Sequence, residues 1–417
     1  MAPTQSSVAT TPIAIIGAGP CGLTFARLLE TKKVDYVIFE KDADSSLNPM
    51  YQGGTLDLHA NSGQQAIKEA GLFEEFKKLA RWDATRVIIQ DAECTMKTIM
   101  GEGRDAPEID RFQLRQLLLE SIPPHRVRWD HRVSSVARDR NSDCEAQGVT
   151  INFANGTSIS GFRLVVGADG AWSKVRPFIT PAKPEYSGKM FLEGRISHSN
   201  PSYATALELL GPGNMMAIGH GRALVVQQVA NRSYRVYMGL EVPETSIRTS
   251  FNVDDADATK EKLLSSAEFY KDFAPSLRQF IADAEGPFRP WSLHRMSVSS
   301  MNWDHVPGVT LLGDAAHVST PFVGEGVNMA MHDALKLAQS IEKHCGDLKG
   351  NIILEENTNI EQALVEYETE MFDRAQDLIK RCILSENVFF ADNGAQLIVD
   401  AITDAVENKK KGLFQRA

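Results

Sequence analysis

Short apolar runs alternate with helical spacing over the first part of the chain. Residues 12–16 form a β-branched apolar run, glycines follow, CGLTFARLLE has helical periodicity, and VDYVIFE is again apolar. That order predicts β-α-β with a parallel strand pair. Apolar spacing stays helical from Ser62 to Leu79, and DRFQLRQLLLES predicts a second amphipathic helix, stopped by Pro123-Pro124. RVRWDHRVSSVARD and GVTINFANGTSIS alternate like strands, with Asn155-Gly156 as a hairpin turn. FRLVVGADG is a buried strand ending in glycine.

From about Pro177 to Pro290 the texture changes. MFLEGRISH, ATALELL, NMMAIGHG, RALVVQQVA and SYRVYMGLEV read as successive antiparallel strands, followed by a helical insert near Thr259–Phe280. VPGVTLLGDAAH returns to a buried strand with a glycine-rich end, and GEGVNMAMHDALKLAQSIEKH is a helix. Apolar residues at 360, 364, 367, 371, 375, 378 and 382 predict an amphipathic C-terminal helix. The chain therefore reads as an α/β protein with a sheet-built domain inserted into a first one. The boundaries are 1–177 for the first part, 178–290 for the insert, 291–350 for the return segment and 351–417 for a C-terminal helical segment.

Composition narrows the partners. The 417 residues are 43% hydrophobic and 24% charged, enough to bury a large core without disulfides or metal. A net charge of −10 argues against nucleic acid and anionic membrane. Five scattered cysteines (Cys21, Cys94, Cys144, Cys345, Cys382), with no CxxC or Cys/His cluster, suggest reduced thiols, a cytoplasmic protein and no metal site. No segment reads as a signal sequence or a membrane span.

Three motifs carry chemistry. Gly17-Ala18-Gly19-Pro20-Cys21-Gly22 lies between a strand and a helix. Gly17 permits the tight turn, Gly19 lets backbone approach a pyrophosphate, and Gly22 lets helix and strand pack closely. The helix start then faces the negative charge with free N–H groups. Glu40 ends the next strand, where an acid binds a ribose 2′-hydroxyl. The alternative is a glycine-rich turn without a ligand. The other motifs are GADGAWSKVRPF, Gly167 to Phe178, and LLGDAAHVSTPFVGEGVNMAMHDA, Leu311 to Ala334.

In their order these motifs resemble the FAD-dependent aromatic hydroxylases, the single-component class A flavoprotein monooxygenases. The likeness spans nearly the whole chain. It implies a Rossmann-like FAD-binding domain with an inserted antiparallel-sheet substrate domain and a C-terminal helix. By this resemblance Gly313 and Asp314 meet the FAD ribityl chain. Gly324, Gly326, Val327 and Asn328 open a helix toward the N1–C2=O edge of the flavin ring, where reduced flavin is negative. Pro321, Phe322 and Gly324 line the face where oxygen reacts. Asp169 and Arg176 hold the fold around the pyrophosphate and greet the nicotinamide cofactor. His317 is either a base or a structural histidine, and the structural reading is favoured because the oxygen chemistry belongs to the flavin.

The stretch MYQGGTLDLHANSGQ, with PEIDRFQLRQLL and SKVRPF, is similar to the tetracycline-inactivating branch of that class. The resemblance implies that Gly54 gives close backbone approach, that Asp57 lies beside the flavin, and that Arg111 and Arg115 reach the FAD phosphates; for Arg115 a plain surface helix charge is the alternative. Two positions depart from the branch. Met50 stands where it has an arginine implied in NADPH handling. Glu193 and Asn214 stand where it has a glutamine and an arginine on the substrate sheet, so tetracycline itself is not the first expectation. Substrate-facing candidates are Glu193, Arg195, Met216, His220 and Phe322, although alternate strand positions point to opposite faces and any of the first four can face away.

The implied function is an FAD- and NADPH- or NADH-dependent monooxygenase. It would insert one oxygen atom from O2, through a C4a-(hydro)peroxyflavin, into a small cyclic or aromatic natural product. Phenol hydroxylation is the default, with epoxidation or Baeyer–Villiger insertion on a polycyclic metabolite next. A non-catalytic flavin-holding protein is the rival from another class. The expected assembly is a monomer or weak dimer.

Overall fold

A computed structural model describes residues 6–9, 11–46, 53–138, 148–246, 251, 253–346 and 359–414. Met50 and Cys144 lie outside the described residues. In chain order the strands are β1 (Ser6–Val8), β2 (Ile13–Ile16), β3 (Tyr36–Phe39), β4 (Thr55–Asp57), β5 (Val87–Gln90), β6 (Lys97–Met100), β7 (Glu108–Asp110), β8 (Val127–Arg128), β9 (Val133–Arg138), β10 (Val149–Phe153), β11 (Ser158–Phe162), β12 (Leu164–Gly167), β13 (Glu185–Ile196), β14 (Asn214–Gly219), β15 (Arg222–Gln228), β16 (Tyr234–Glu241), β17 (Glu285–Arg295) and β18 (Val309–Leu311). The α-helices are α1 (Pro20–Thr31), α2 (Gly63–Glu69), α3 (Phe73–Leu79), α4 (Arg111–Glu120), α5 (Arg176–Ile179), α6 (Tyr203–Leu210), α7 (Ala256–Ser265), α8 (Pro275–Ala282), α9 (Asp314–His317), α10 (Gly326–Cys345), α11 (Ile360–Phe389) and α12 (Gly394–Phe414).

The chain forms two compact units. Unit 1 takes Met1–Ala80, Arg111–Glu185 and His294–Arg381; unit 2 takes Arg81–Asp110, Tyr186–Leu293 and Cys382–Ala417. Residues 81–110 fall in unit 2 because β5 pairs in parallel with β14 and β6 extends the same sheet. Residues from 382 onward fall there too, with Ala395 in an apolar cluster with Ile89, Ile218 and Ala223. Local patterning cannot reveal either pairing, which is set by contacts far apart in sequence.

Unit 1 is built on a five-stranded parallel sheet in the order β18-β12-β2-β3-β8. Every residue of β2, β12 and β18 is buried. A parallel sheet covered on both faces requires such unbroken apolar runs. Helix α1 packs against α10 and α4. On α11, the Tyr367 hydroxyl donates to the Leu311 carbonyl at 2.9 Å, tying that helix to the end of β18. A second sheet, β1-β11-β10-β9, contains the expected hairpin with Gly156 at φ 86°. RVRWDHRVSSVARD divides between the two sheets, ending the parallel one as β8 and joining the other as β9. The helical stretch from Ser62 is interrupted at Gly71, φ 72°, giving α2 and α3.

Unit 2 carries a seven-stranded sheet in the order β17-β13-β16-β15-β14-β5-β6. One face is its core, where Met190, Leu192, Leu224, Val236 and Met238 pack with Leu263, Phe273, Leu277 and Phe280 from the helical insert. That insert is two helices, α7 and α8. Tyr270 caps the packing by placing its hydroxyl 2.9 Å from the carbonyls of Ala223 and Gly239. ATALELL, expected as a strand, is helix α6. Its Ala, Leu and Glu are strong helix formers, Ala206 and Leu210 share one buried face, and Gly211 at φ 56° ends it.

Candidate functional site

The loop after β2 is shaped by backbone approach. A Cβ on Gly22 would lie 2.2 Å from the Gly17 carbonyl oxygen, so only glycine lets α1 start this close to the strand. Gly19 differs: a Cβ there would meet nothing within 4 Å, so the loop presents bare backbone to open space at the α1 N-terminus. Glu40 is buried and accepts from the Ala18 amide at 2.6 Å and the Asp42 amide at 3.0 Å. Arg115, also buried, donates from Nε to the Ala18 carbonyl at 2.8 Å and from Nη2 to Asp42 at 3.0 Å. It is therefore not a surface helix charge. Its bonds brace the loop, so Nε and one terminal nitrogen are already committed to protein acceptors.

Beyond β18, Asp314 starts α9. Its side chain is exposed, yet packed protein around it pushes its carboxyl above the usual range, while His317, Arg111 and Arg176 pull the other way. A carboxylate reachable by water but ringed by protein lines a recess rather than a surface. Arg176 is buried and donates twice to the Ala171 carbonyl. Burial lowers its pKa against the opposing charges of Asp169 and Asp314. Asp169 accepts from the Lys174 amide at 2.6 Å through Oδ2, while its buried Oδ1 has no hydrogen-bond partner among the described residues.

Asp333 sits below Gly313. It accepts from the Gly313 amide at 3.0 Å, from Arg374 at 3.2 Å and from His317 Nε2 at 2.5 Å. Burial alone would neutralise His317, but Asp333 overrides it and raises the imidazole pKa. Burial likewise opposes the Asp333 charge, and His317 with Arg374 pulls its pKa down. His317 Nε2 is thus taken up by the buried carboxylate of Asp333, a bracing contact of the kind a structural histidine makes.

The GGTLDLHANSGQ segment is latched to the start of α10. Asn328 is buried; its Nδ2 donates to the Asp57 carbonyl at 2.8 Å, and its Oδ1 accepts from the His59 amide at 2.7 Å and the Ser62 hydroxyl at 3.4 Å. A Cβ on Gly63 would lie 2.6 Å from that same Oδ1, which explains the glycine of SGQ. Asp57 pairs with His59 at 2.9 Å. Gly54 is buried and accepts from the Arg111 amide at 3.3 Å. So the Asn328 side chain is committed to bracing, and what α10 can offer a ligand is the backbone of Gly326 and Val327. Gly324 (φ 72°) and Gly326 are exposed, and a Cβ on Gly326 would meet nothing within 4 Å. Pro321 is exposed and Phe322 half-buried just before this turn.

In unit 2, strand register sorts the substrate candidates. Glu193 pairs across with Tyr237, Tyr237 with Val225, and Val225 with Met216; Arg195 pairs with Arg235. Directly paired residues point to one side, so Glu193, Arg195 and Met216 share the face opposite the apolar core. Glu193 is buried there, 3.2 Å from Arg235 and accepting from the Trp291 indole at 2.7 Å. Phe191 meets Tyr237 edge-on, and Arg289 stacks over Trp291 at 3.9 Å. His220 is not on this face. It sits in the β14–β15 turn at φ 53° and pairs with Glu93 at 2.6 Å. Asn214 donates to Glu108 at 3.1 Å. Arg235, directly across from Arg195, is a further cation on this face, and no motif in the sequence singles it out.

A family profile described as "FAD binding domain" matches residues 10–205 and 219–372. Monooxygenase penA of Penicillium thymicola is 30% identical over 428 residues, covering 93% of this chain and 97% of that protein. The chain belongs to the FAD-binding domain family and is a flavoprotein monooxygenase. Its fold is shared with Klebsiella pneumoniae HpxO, solved with FAD and uric acid (TM-score 0.72, 21% identity, 95% of this chain and 92% of that one). It is also shared with tetracycline destructase Tet(55) (TM-score 0.67, 17% identity, 96% of each chain).

The cofactor of the monooxygenase is FAD, with NAD(P)H as reductant. The residues present fit it. Gly19 and Gly326 leave backbone open to a ligand, Asp314 offers an exposed carboxylate beside Arg111 and Arg176, and Asp169 carries an unpartnered buried oxygen.

Proposed function

We propose that this monooxygenase oxygenates a small, electron-rich, ring-bearing natural product carrying an acidic or hydrogen-bonding group. The observation that carries the substrate reading is the face of the unit 2 sheet opposite its larger core. Phe191, Tyr237, Trp291 and Met216 give it aromatic and polarisable surface, while Arg195 and Arg235 lie directly opposite each other with Glu193 beside them. Glu193 lies 3.2 Å from Arg235 and Arg195 lowers the pKa of Glu285, so both cations are positioned by carboxylates, and the two together favour an acidic or enolic group on the substrate. HpxO, whose fold is similar, was solved with uric acid, an acidic ring of the same general kind.

In unit 1 we assign Gly17, Gly19 and Gly22 to the pyrophosphate, Glu40 to the ribose and Asp314, after Gly313, to the ribityl chain. Arg111 lies nearest the phosphates, with Arg115 bracing the loop behind them. Asp169 and Arg176 hold the DG turn, whose unpartnered Oδ1 can accept from a cofactor hydroxyl. The amides of Gly326 and Val327 meet the pyrimidine edge of the ring, held in place by Asn328 and the Gly54–Asp57 segment, and Pro321 and Phe322 cover the reacting face. Bound and reduced by NAD(P)H, FAD supplies the activation of O2 and the transfer of one oxygen atom. The chain's own part is to orient the substrate, exclude water and stabilise negative charge at the α10 start.

No helix among the described residues is long and apolar enough to cross a membrane. We place the enzyme in the cytoplasm as a monomer or weak dimer, which light scattering on the purified protein checks. The function is tested by NADPH and NADH oxidation under air with a panel of phenols, hydroxyquinolines and urate, with 18O2 as oxygen source. One labelled oxygen in a product is the expected result. FAD-loaded protein that neither nucleotide reduces, with or without these ligands, would overturn it.

A further inference from the structure

Glu325 immediately precedes α10, and its carboxylate does not behave as an acid at a helix start should. The positive end of the helix dipole attracts such a group. Glu325 nevertheless makes no side-chain cap bond. Its two oxygens are held by Arg381 of α11, Oε1 to Nη1 at 2.8 Å and Oε2 to Nη2 at 2.7 Å. This is a planar fork-to-fork pair, the strong and directional kind. Arg381 is itself fixed by a third bond, Nε to Asp377 at 2.7 Å. Glu325 is thereby held off the exposed turn of Gly324 and Gly326, where the Asp57 carboxylate is already the nearest neighbour, 3.6 Å from the place of a Gly324 Cβ.

We infer that Arg381 is a positioning residue for the flavin: it restrains Glu325 so that the first amides of α10 remain available to the electron-rich edge of the reduced ring, and it offsets the Glu325 charge there. The inference rests on the proposed meeting of the flavin with the α10 start. Released from Arg381, Glu325 would turn onto its own helix, compete with the cofactor and repel the negative charge of reduction.

The test measures FAD dissociation from the apoprotein by flavin fluorescence and the midpoint potential of the holoenzyme. Arg381→Ala is expected to raise the FAD Kd about tenfold and to make the potential more negative. Adding Glu325→Gln should bring both back to within about twofold of the wild type, because the competing charge is gone. Arg381→Lys should fall between, since lysine supplies charge without the fork. Arg381→Gln runs in parallel and reads the same way if the alanine variant does not fold. Unchanged Kd and potential in Arg381→Ala, or a double variant as impaired as the single, would overturn the inference and leave the pair a plain brace. Gly326→Val separates this from the reading beneath it. If that variant also binds FAD normally, the flavin does not meet this helix and the underlying placement fails. If it weakens FAD while Arg381→Ala does not, only the role of Arg381 fails.

Discussion

In unit 1 the strands β2, β12 and β18 are buried throughout, and the chemistry is left to the turns that follow them, at Gly17, Asp169 and Asp314. In unit 2 the larger core covers one face of the sheet, and the other carries Glu193, Arg195 and Arg235 beside a smaller apolar cluster of Ile89, Ile218, Ala223 and Ala395, against which Met216 packs. A sheet covered on both sides can hold a ligand only at its ends, where backbone amides and glycines dominate. A sheet whose second face is only partly covered can meet a ligand with side chains. On the function proposed above, unit 1 meets the cofactor with backbone and unit 2 meets the substrate with side chains.

The most severe way to break this contrast is Gly22→Val. The Gly17 carbonyl cannot move from a Cβ only 2.2 Å away, so a loss of about 3–4 kcal/mol and of bound FAD is expected. A calorimetric melt with flavin content checks both. Met216→Leu keeps the apolar volume packed against the Ile218 cluster, so it should cost less than about 1.5 kcal/mol while altering substrate turnover. Next comes Glu193→Ala, which strips the partner from Arg235, itself 12% exposed. It should cost about 2–3 kcal/mol with FAD affinity intact, seen in urea melts and FAD titration. Asp314→Ala should do the reverse, raising the FAD Kd about thirtyfold, a loss of about 2 kcal/mol, with little change in apoprotein melting. A flavin band retained through dialysis at wild-type level would sink the Asp314 assignment.

A smaller effect concerns pH. His305 lies between Glu361 and Glu368, each 2.9 Å away, and these bonds raise its pKa to about 9. The folded value exceeds the unfolded one near 6.5, so the stabilisation is complete below about pH 6.5 and is lost as pH rises through 9. Glu361 is half-exposed, and screening reduces the effect to about 1–2 kcal/mol. Melting of the wild type should fall between pH 7 and 9, and His305→Gln should lose that slope. Smallest is Trp291→Phe, which removes one hydrogen bond to Glu193 and should cost about 1 kcal/mol, with a change in substrate KM.

Unit 1 was legible because its signals are local. The runs IAII, LVVG and VTL, the glycine loop and the Asn155-Gly156 hairpin each announce themselves within a few residues. Unit 2 was legible as an antiparallel sheet but not in its membership. VIIQ at β5 looks like any short strand, and only its parallel pairing with β14, more than a hundred residues later, draws residues 81–110 in. ATALELL was misread because a short apolar run fits helix and strand alike. In the site, glycines and terminal acids could be named from motif spacing. The partners that hold them, Asp333 under His317, Arg374 behind it, Arg381 on Glu325 and Arg235 on Glu193, come from distant segments with no periodic signature.

The order of the parallel sheet also has a consequence for synthesis. Strand β12 pairs on one side with β2 and on the other with β18. Roughly 140 residues separate Gly167 from Val309, about 7 to 28 seconds of translation at common elongation rates. Throughout that interval the nascent chain carries an unpaired apolar strand edge. It also lacks Asn328, whose side chain holds residues 57–62 in place. On the proposed cofactor placement, the flavin site can be completed only after the ribosome has passed α10, which brings Asn328 to residues 57–62.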